Sequence, residues 1–203
     1  MEMIERCVST KGMDFSKLER PKLTCSWRGP DMPDESTIII PVPEAEELVG
    51  VYRNRYDPAA RAGVPAHITL LYPFLDRGEI TPNSIIEVRE VIQRFKPFDL
   101  SLVEVRRWLS VLYIHPEPDS EFIRMTRSLV NQFPDHPPYK GAYPSIIPHL
   151  TVAHVDDTAE LEAIADDFQS HAGLYLPMKS RAKEVWLMVK HNGKWNKHTS
   201  FDL

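Results

Sequence analysis

The chain has 203 residues, 42% of them hydrophobic, enough for one globular domain or two small lobes sharing a core. Its formal net charge of −5 argues against charge-driven binding to long nucleic acid, but leaves room for a small anionic ligand or an RNA end in a locally basic cleft. Residues Met1 to Arg6 lack a basic segment followed by an apolar one, and no apolar run reaches transmembrane length, so neither a signal peptide nor a membrane partner is expected.

In chain order, residues 1–36 are polar and broken by Gly29, Pro30 and Pro33, and read as a peripheral or flexible extension. They hold both cysteines, Cys7 and Cys25, far from every histidine. That disfavours thiol catalysis or a Cys-His metal site and suits free thiols in the cytoplasm. Thr37 to Val42 reads as a buried strand closed by prolines. Ala45, Leu48, Val49, Tyr52 and Tyr56 then recur at helical spacing. A strand holding His67 follows. Thr81-Pro82 signals a helix start, and Ile85, Val88, Ile92 and Phe95 share one face. Phe98 to Val105 reads as a strand.

The order then repeats. Val111 to Ile114 is a strand, and Asp119 or Ser120 is expected to cap a helix with Phe122, Met125, Leu129, Val130 and Phe133 inward. A Pro-rich loop, 134–148, leads to a strand holding His149. Asp157 or Thr158 caps the next helix, with Leu161, Ile164, Ala165 and Phe168 inward. Strands follow near 174–181, 184–190 and 195–202, the last two joined by the hairpin signal Asn192-Gly193. Both halves thus run strand, helix, strand, helix, strand. The pattern points to an internal duplication with lobes of about 37–107 and 108–203.

Matched positions of that duplication carry His67-Ile68-Thr69-Leu70-Leu71 and His149-Leu150-Thr151-Val152-Ala153, 82 residues apart. On a strand, residues i and i+2 share a face. His67 and Thr69 therefore project together, as do His149 and Thr151, while Ile68, Leu70, Leu150 and Val152 point into a core. A pseudo-twofold axis would bring both pairs across one groove.

These runs, with the tail Leu71-Tyr72-Pro73-Phe74 after the first and Pro148 before the second, resemble the two signatures of the 2H phosphoesterase superfamily. The first is especially similar to the bacterial 2′-5′ RNA ligase-like group. The resemblance covers about residues 37–202, with Ala153-His154 a tolerable variation in the second run. It implies an α+β, bilobal duplicated fold, with two antiparallel sheets around a central cleft and helices outside. It also implies making or breaking phosphodiester bonds at a ribose 2′-oxygen, typically opening a 2′,3′-cyclic phosphate.

The residues suit that chemistry. A neutral histidine can take a proton from water while a charged one protonates the leaving oxygen. Thr69 and Thr151 can donate to the non-bridging phosphoryl oxygens, where charge develops. His149 is expected to act as base and His67 as acid, with no metal and no cofactor. Tyr139 or Tyr143 could stack on a base at the cleft rim, and Lys140 could meet a phosphate. Tyr72, Phe74 and His154 are expected to face away from the cleft. His115, His136, His171, His191 and His198 are expected to face solvent. Ligation, cleavage of 2′-5′-linked oligonucleotides or cyclic dinucleotides, and a non-catalytic nucleotide- or RNA-end-binding module stay open beside hydrolysis. The partner is a small nucleotide or RNA end, and the chain is expected to be a monomer.

Overall fold

The computed structural model describes residues 34–203, all within one compact unit. The extension expected at 1–36, apart from Asp34, Glu35 and Ser36, lies outside the described residues, as do both cysteines. The strands are β1 (Ser36–Pro41), β2 (His67–Leu71), β3 (Phe98–Trp108), β4 (Val111–Glu117), β5 (Leu150–His154), β6 (Met178–Ala182), β7 (Glu184–His191) and β8 (Lys194–Asp202). The helices are α1 (Glu46–Tyr56), the short α2 (Pro58–Arg61), α3 (Pro82–Ile92), α4 (Asp119–Gln132) and α5 (Thr158–Ala172).

All eight strands form one antiparallel sheet in the order β6-β3-β4-β5-β2-β1-β7-β8. The two expected sheets are its halves, joined where β2 pairs with β5 through Ile68 and Leu150. The halves exchange strands relative to the sequence. β3, from before residue 108, pairs with β4 and β6, while β7 and β8 extend the half that holds β1 and β2. The boundary near 107/108 falls in the β3–β4 hairpin.

One face of the sheet carries the main core. Ile68, Leu70, Leu150 and Val152 pack there with Leu48 and Val49 of α1, Val88 of α3, Phe122 and Leu129 of α4, and Ile164 and Phe168 of α5. The continuous apolar run Ile38-Ile39-Ile40 is fully buried because β1 is covered on both faces. Ile38 and Ile40 join the main core, whereas Ile39 meets Val64 and Met188 on the other face. Local signals set the helix starts. Thr81 caps α3, accepting from the Ser84 backbone N–H while Ser84 reaches back to Thr81. Asp157 caps α5 by accepting from Glu160 N–H. The cap expected at Asp119 or Ser120 is instead Pro118, in extended backbone with no side-chain cap. Asp119 becomes the first helical residue, where its charge favours the helix dipole. Residues 174–177 are not strand, because Tyr175 and Leu176 donate back to Ala172 at the end of α5. Asn192 and Gly193 form the expected two-residue hairpin, both with positive φ, 51° and 75°. Among the described residues, no helix is long and apolar enough to cross a membrane.

Candidate active site

Pairing of Ile68 with Leu150 sets the neighbouring positions against each other in antiparallel register. Thr69 stands across from His149, and His67 across from Thr151. Opposite residues lie about 5 Å apart at the backbone, and the two histidines, on the diagonal, about 7 to 8 Å. All four are partly exposed on the sheet face away from the main core, while Ile68 and Leu150 between them are fully buried. The arrangement is a square of two imidazoles and two hydroxyls, wide enough for a phosphate between them.

Both strands then bulge at the same point. Ile38 pairs with Leu71 but Ile39 with Thr69, so Leu70 is the extra residue. Leu112 pairs with Ala153 but Tyr113 with Thr151, so Val152 is the extra residue. Each bulge lets two successive apolar residues, Leu70-Leu71 and Val152-Ala153, enter the core together. The residue after each pair is thereby turned over.

Each histidine is held alike. His67 Nδ1 lies 2.7 Å from the Pro65 carbonyl oxygen, and His149 Nδ1 lies 2.7 Å from that of Ile147. A carbonyl only accepts, so each Nδ1 donates, and in the neutral ring Nε2 is the nitrogen without a proton. Burial pushes the His67 pKa down from 6.5 to about 4, helped by the Arg53 guanidinium behind it. Burial also pushes His149 down, and His154 adds to that. Arg53 is fully buried. Its Nε and Nη2 donate to Asp57 at 3.1 and 3.0 Å, and Nη2 also donates to the Val64 carbonyl at 3.1 Å. Asp57 in turn accepts from Ala59 N–H at the start of α2. The pair thus ties down the segment that carries Pro65, the partner of His67. The negative charge of Asp57 favours the charged form of both histidines.

The walls differ. Beside Thr69 lies the apolar cluster of Ile39, Val64 and Met188, with Ala59, Trp186 and Trp195 packed on it. Beside Thr151 stands Tyr113, its ring edge-on to His149 at 5.5 Å, with Arg106 its cross-strand neighbour on β3. The loop 134–148 rims this side. Tyr143 packs on Trp108 at 4.6 Å, Tyr139 meets Tyr143 at 5.4 Å, and Tyr139 N–H donates to the Tyr72 carbonyl at 2.6 Å. Tyr139 and Lys140 hold positive φ, 51° and 56°, strained for side chains of this kind. Lys140 is exposed at the loop tip.

Three expectations need correcting. Tyr72 packs on Tyr139 and Trp195, on the histidine face, because the bulge at Leu70 reverses the alternation. The bulge at Val152 likewise turns the exposed His154 onto the face of His149. His115 is buried, because β4 is an interior strand, flanked by β3 and β5, with Glu104 of β3 across from it. His136 is half-buried, its ring 6.0 Å from that of Phe74, while His171, His191 and His198 are exposed and Phe74 is in the core as expected. Sequence reasoning passed over Arg53, Asp57, Arg106 and Tyr113. The Arg53–Asp57 spacing of four at a helix end was a usable signal, whereas Tyr113 reads simply as an apolar strand residue. Among the described residues, no group of three or more His, Cys, Asp or Glu is placed to hold a metal ion.

An antiparallel α+β sheet with paired His-x-Thr strands on its open face defines a two-histidine phosphoesterase fold. The chain belongs to the 2′-5′ RNA ligase superfamily, whose family model matches residues 41–194. A Bacillus licheniformis protein whose name assigns it, provisionally, to the phosphoesterases is 25% identical over 176 residues, covering 82% of this chain and 96% of its own. A Bacillus mycoides protein named in the same way is 27% identical over 169 residues, covering 82% and 94%. Among solved structures, Escherichia coli LigT complexed with 3′-AMP superimposes with a TM-score of 0.52 at 18% identity, covering 85% of this chain and 99% of LigT. A Thermus thermophilus protein superimposes with a TM-score of 0.50 at 16% identity, covering 83% and 97%. At these identities the structures speak for the fold.

Proposed function

We propose that the protein is a metal-independent phosphodiesterase that opens 2′,3′-cyclic phosphates, or related 2′-linked phosphodiesters, of nucleotides or RNA ends. The observation that carries this is the square of His67, Thr69, His149 and Thr151, with each Nδ1 committed to a backbone carbonyl. Burial pushes the pKa of both histidines down, and the fixed charge of Arg53 adds to this at His67, so we assign His67 as the neutral base; the anionic substrate phosphate favours the proton that His149 must carry. His67 then takes a proton from water through Nε2 as the water oxygen bonds to phosphorus. His149 gives its proton to the ribose oxygen as the P–O bond breaks. This reverses the roles expected from the sequence. The Thr69 and Thr151 hydroxyls donate to the non-bridging oxygens as their charge grows. Run backwards, the same steps close or join the linkage.

A nucleotide as substrate is in keeping with the LigT complexes with 3′-AMP, ATP and NADP+, proteins of the same fold. Tyr143, at the rim, is the residue we assign to the base. We take the protein to act as a cytoplasmic monomer without a cofactor. The test is turnover of a panel of 2′,3′-cyclic nucleotides in EDTA, with His67→Ala and His149→Ala as controls and products resolved as 2′- or 3′-phosphates. Turnover that survives EDTA and vanishes in both variants supports the reading. Turnover abolished by EDTA, or retained in either variant, overturns it.

A further inference from the structure

The two bulges give the cleft unlike ends. At one end Tyr72 acts as a stopper. Its ring lies 6.3 Å from that of Tyr139 and 6.2 Å from that of Trp195, and its hydroxyl donates to Glu35, whose other oxygen accepts from Lys190 at 2.9 Å. The matched position at the other end, 82 residues on, is His154. It is exposed, and its imidazole makes no hydrogen bond or ion pair with the described residues. The bulge at Val152 sets it on the face of Thr151 and His149. The charge of His154 is also among the causes that push the His149 pKa down. Val111 pairs with His154 and Trp108 with Val111, so the Trp108–Tyr143 ring pair flanks the same end.

A ligand whose reacting phosphate sits in the square meets Tyr72 in one direction and His154 in the other. The remainder of the ligand leaves past His154. Because the bulge compresses the strand, His154 stands about one side-chain repeat beyond Thr151, roughly 7 Å. That is the scale of one nucleotide step, and an imidazole there can donate to an anionic oxygen.

We infer that His154 binds a second phosphate of the substrate, carried by the same nucleotide at its 5′ position or by the neighbouring linkage. The inference rests on the nucleotide reading above. It makes His154 a specificity residue, and it makes doubly phosphorylated or oligomeric ends the preferred substrates.

Calorimetric titration of the full chain at mildly acidic pH tests this. The ligands are adenosine 3′-monophosphate, adenosine 3′,5′-bisphosphate and a diadenylate ending in a 3′-phosphate. The wild type is expected to bind at least one two-phosphate ligand about tenfold tighter than the monophosphate, the scale of one charge-assisted hydrogen bond. Whichever ligand shows the advantage identifies the source of the phosphate. In His154→Gln the ratio of affinities should fall to near one, and His154→Lys should restore it. Circular dichroism checks that the variants are folded. A wild-type ratio near one, a ratio kept in His154→Gln, or no binding of any of the three ligands overturns the inference. Failure of the catalytic reading shows separately: the ratio persists while cyclic phosphates are not turned over.

Discussion

Acid titration of His67 tests the electrostatics of the site without any substrate. The native pKa is pushed from 6.5 to about 4, first by burial and then by Arg53. Between those values the unfolded chain holds a proton on this side chain and the native one does not. Stability is therefore complete above 6.5, falls as pH drops through the window, and stops falling below about 4. At 1.36 kcal/mol per unit the full window is worth about 3 kcal/mol; partial exposure of the ring brings this to about 2 kcal/mol. The assay is urea unfolding of wild type and His67→Gln across a pH series from about neutral to about 4.5, read as the difference between the two proteins. Taking the difference removes the carboxylates common to both. Wild type should lose about 2 kcal/mol relative to the variant on acidification, and the His67 Cε1–H resonance should titrate well below 6.5. A pH-independent difference, or an NMR midpoint at or above 6.5, would refute the claim that His67 is held neutral.

The other expectations concern single side chains. Thr69→Ala and Thr151→Ala should each lower kcat on cyclic phosphates by about 100-fold with unchanged thermal stability, since each removes one transition-state donor; an unaltered kcat removes that threonine from the site. Arg53→Met should cost about 3 to 5 kcal/mol in chemical denaturation, because it strands Asp57 as a buried unpaired charge; a loss under about 1 kcal/mol would mean the pair does not brace the 57–66 segment. Tyr143→Ala should raise KM about tenfold with little change in kcat, the scale of one stacked base; a fall in kcat at constant KM would place Tyr143 elsewhere in the mechanism.

The elements were readable in the sequence because their periods are unambiguous. Alternation in β2 and β5, the 3.6-residue spacing of α1 and α3 to α5, and the Thr81-Pro82 and Asn192-Gly193 signals are local features. The square was readable too, since i and i+2 share a face whatever the partner strand does. Where the reading failed, the cause was non-local. A bulge exists only relative to the register of a neighbour, so nothing within Leu70-Leu71-Tyr72 or Val152-Ala153-His154 announces it. Straight alternation sent Tyr72 and His154 to the wrong face. The exchange of β3 against β7 and β8 between sheet halves is likewise a property of pairing, not of any one strand. Arg53 and Asp57 look like ordinary surface charges until the chain after α2 closes over them.

The likeness of the two halves is kept where the proposed chemistry is symmetric and broken where a substrate is not. His67 matches His149, Thr69 matches Thr151, the carbonyl of Pro65 matches that of Ile147, and the bulge at Leu70 matches that at Val152. In phosphoryl transfer the attacking and leaving oxygens stand roughly in line on opposite sides of phosphorus. In the proposed mechanism a twofold pair of imidazoles serves both, and serves the reverse reaction with roles exchanged. The groups attached to that phosphate share no such symmetry. The residue beside Thr69 is Ile39 and the one beside Thr151 is Tyr113, with Arg106 across from it on β3. Arg53 lies close enough to His67 to push its pKa down, and it has no counterpart at His149 among the causes that shift that residue. Tyr72 packs on Tyr139 and Trp195 at one end, while its counterpart His154 is exposed at the other. In the function proposed above, the symmetric residues carry the reaction, and the residues that break the symmetry set its direction and its substrate.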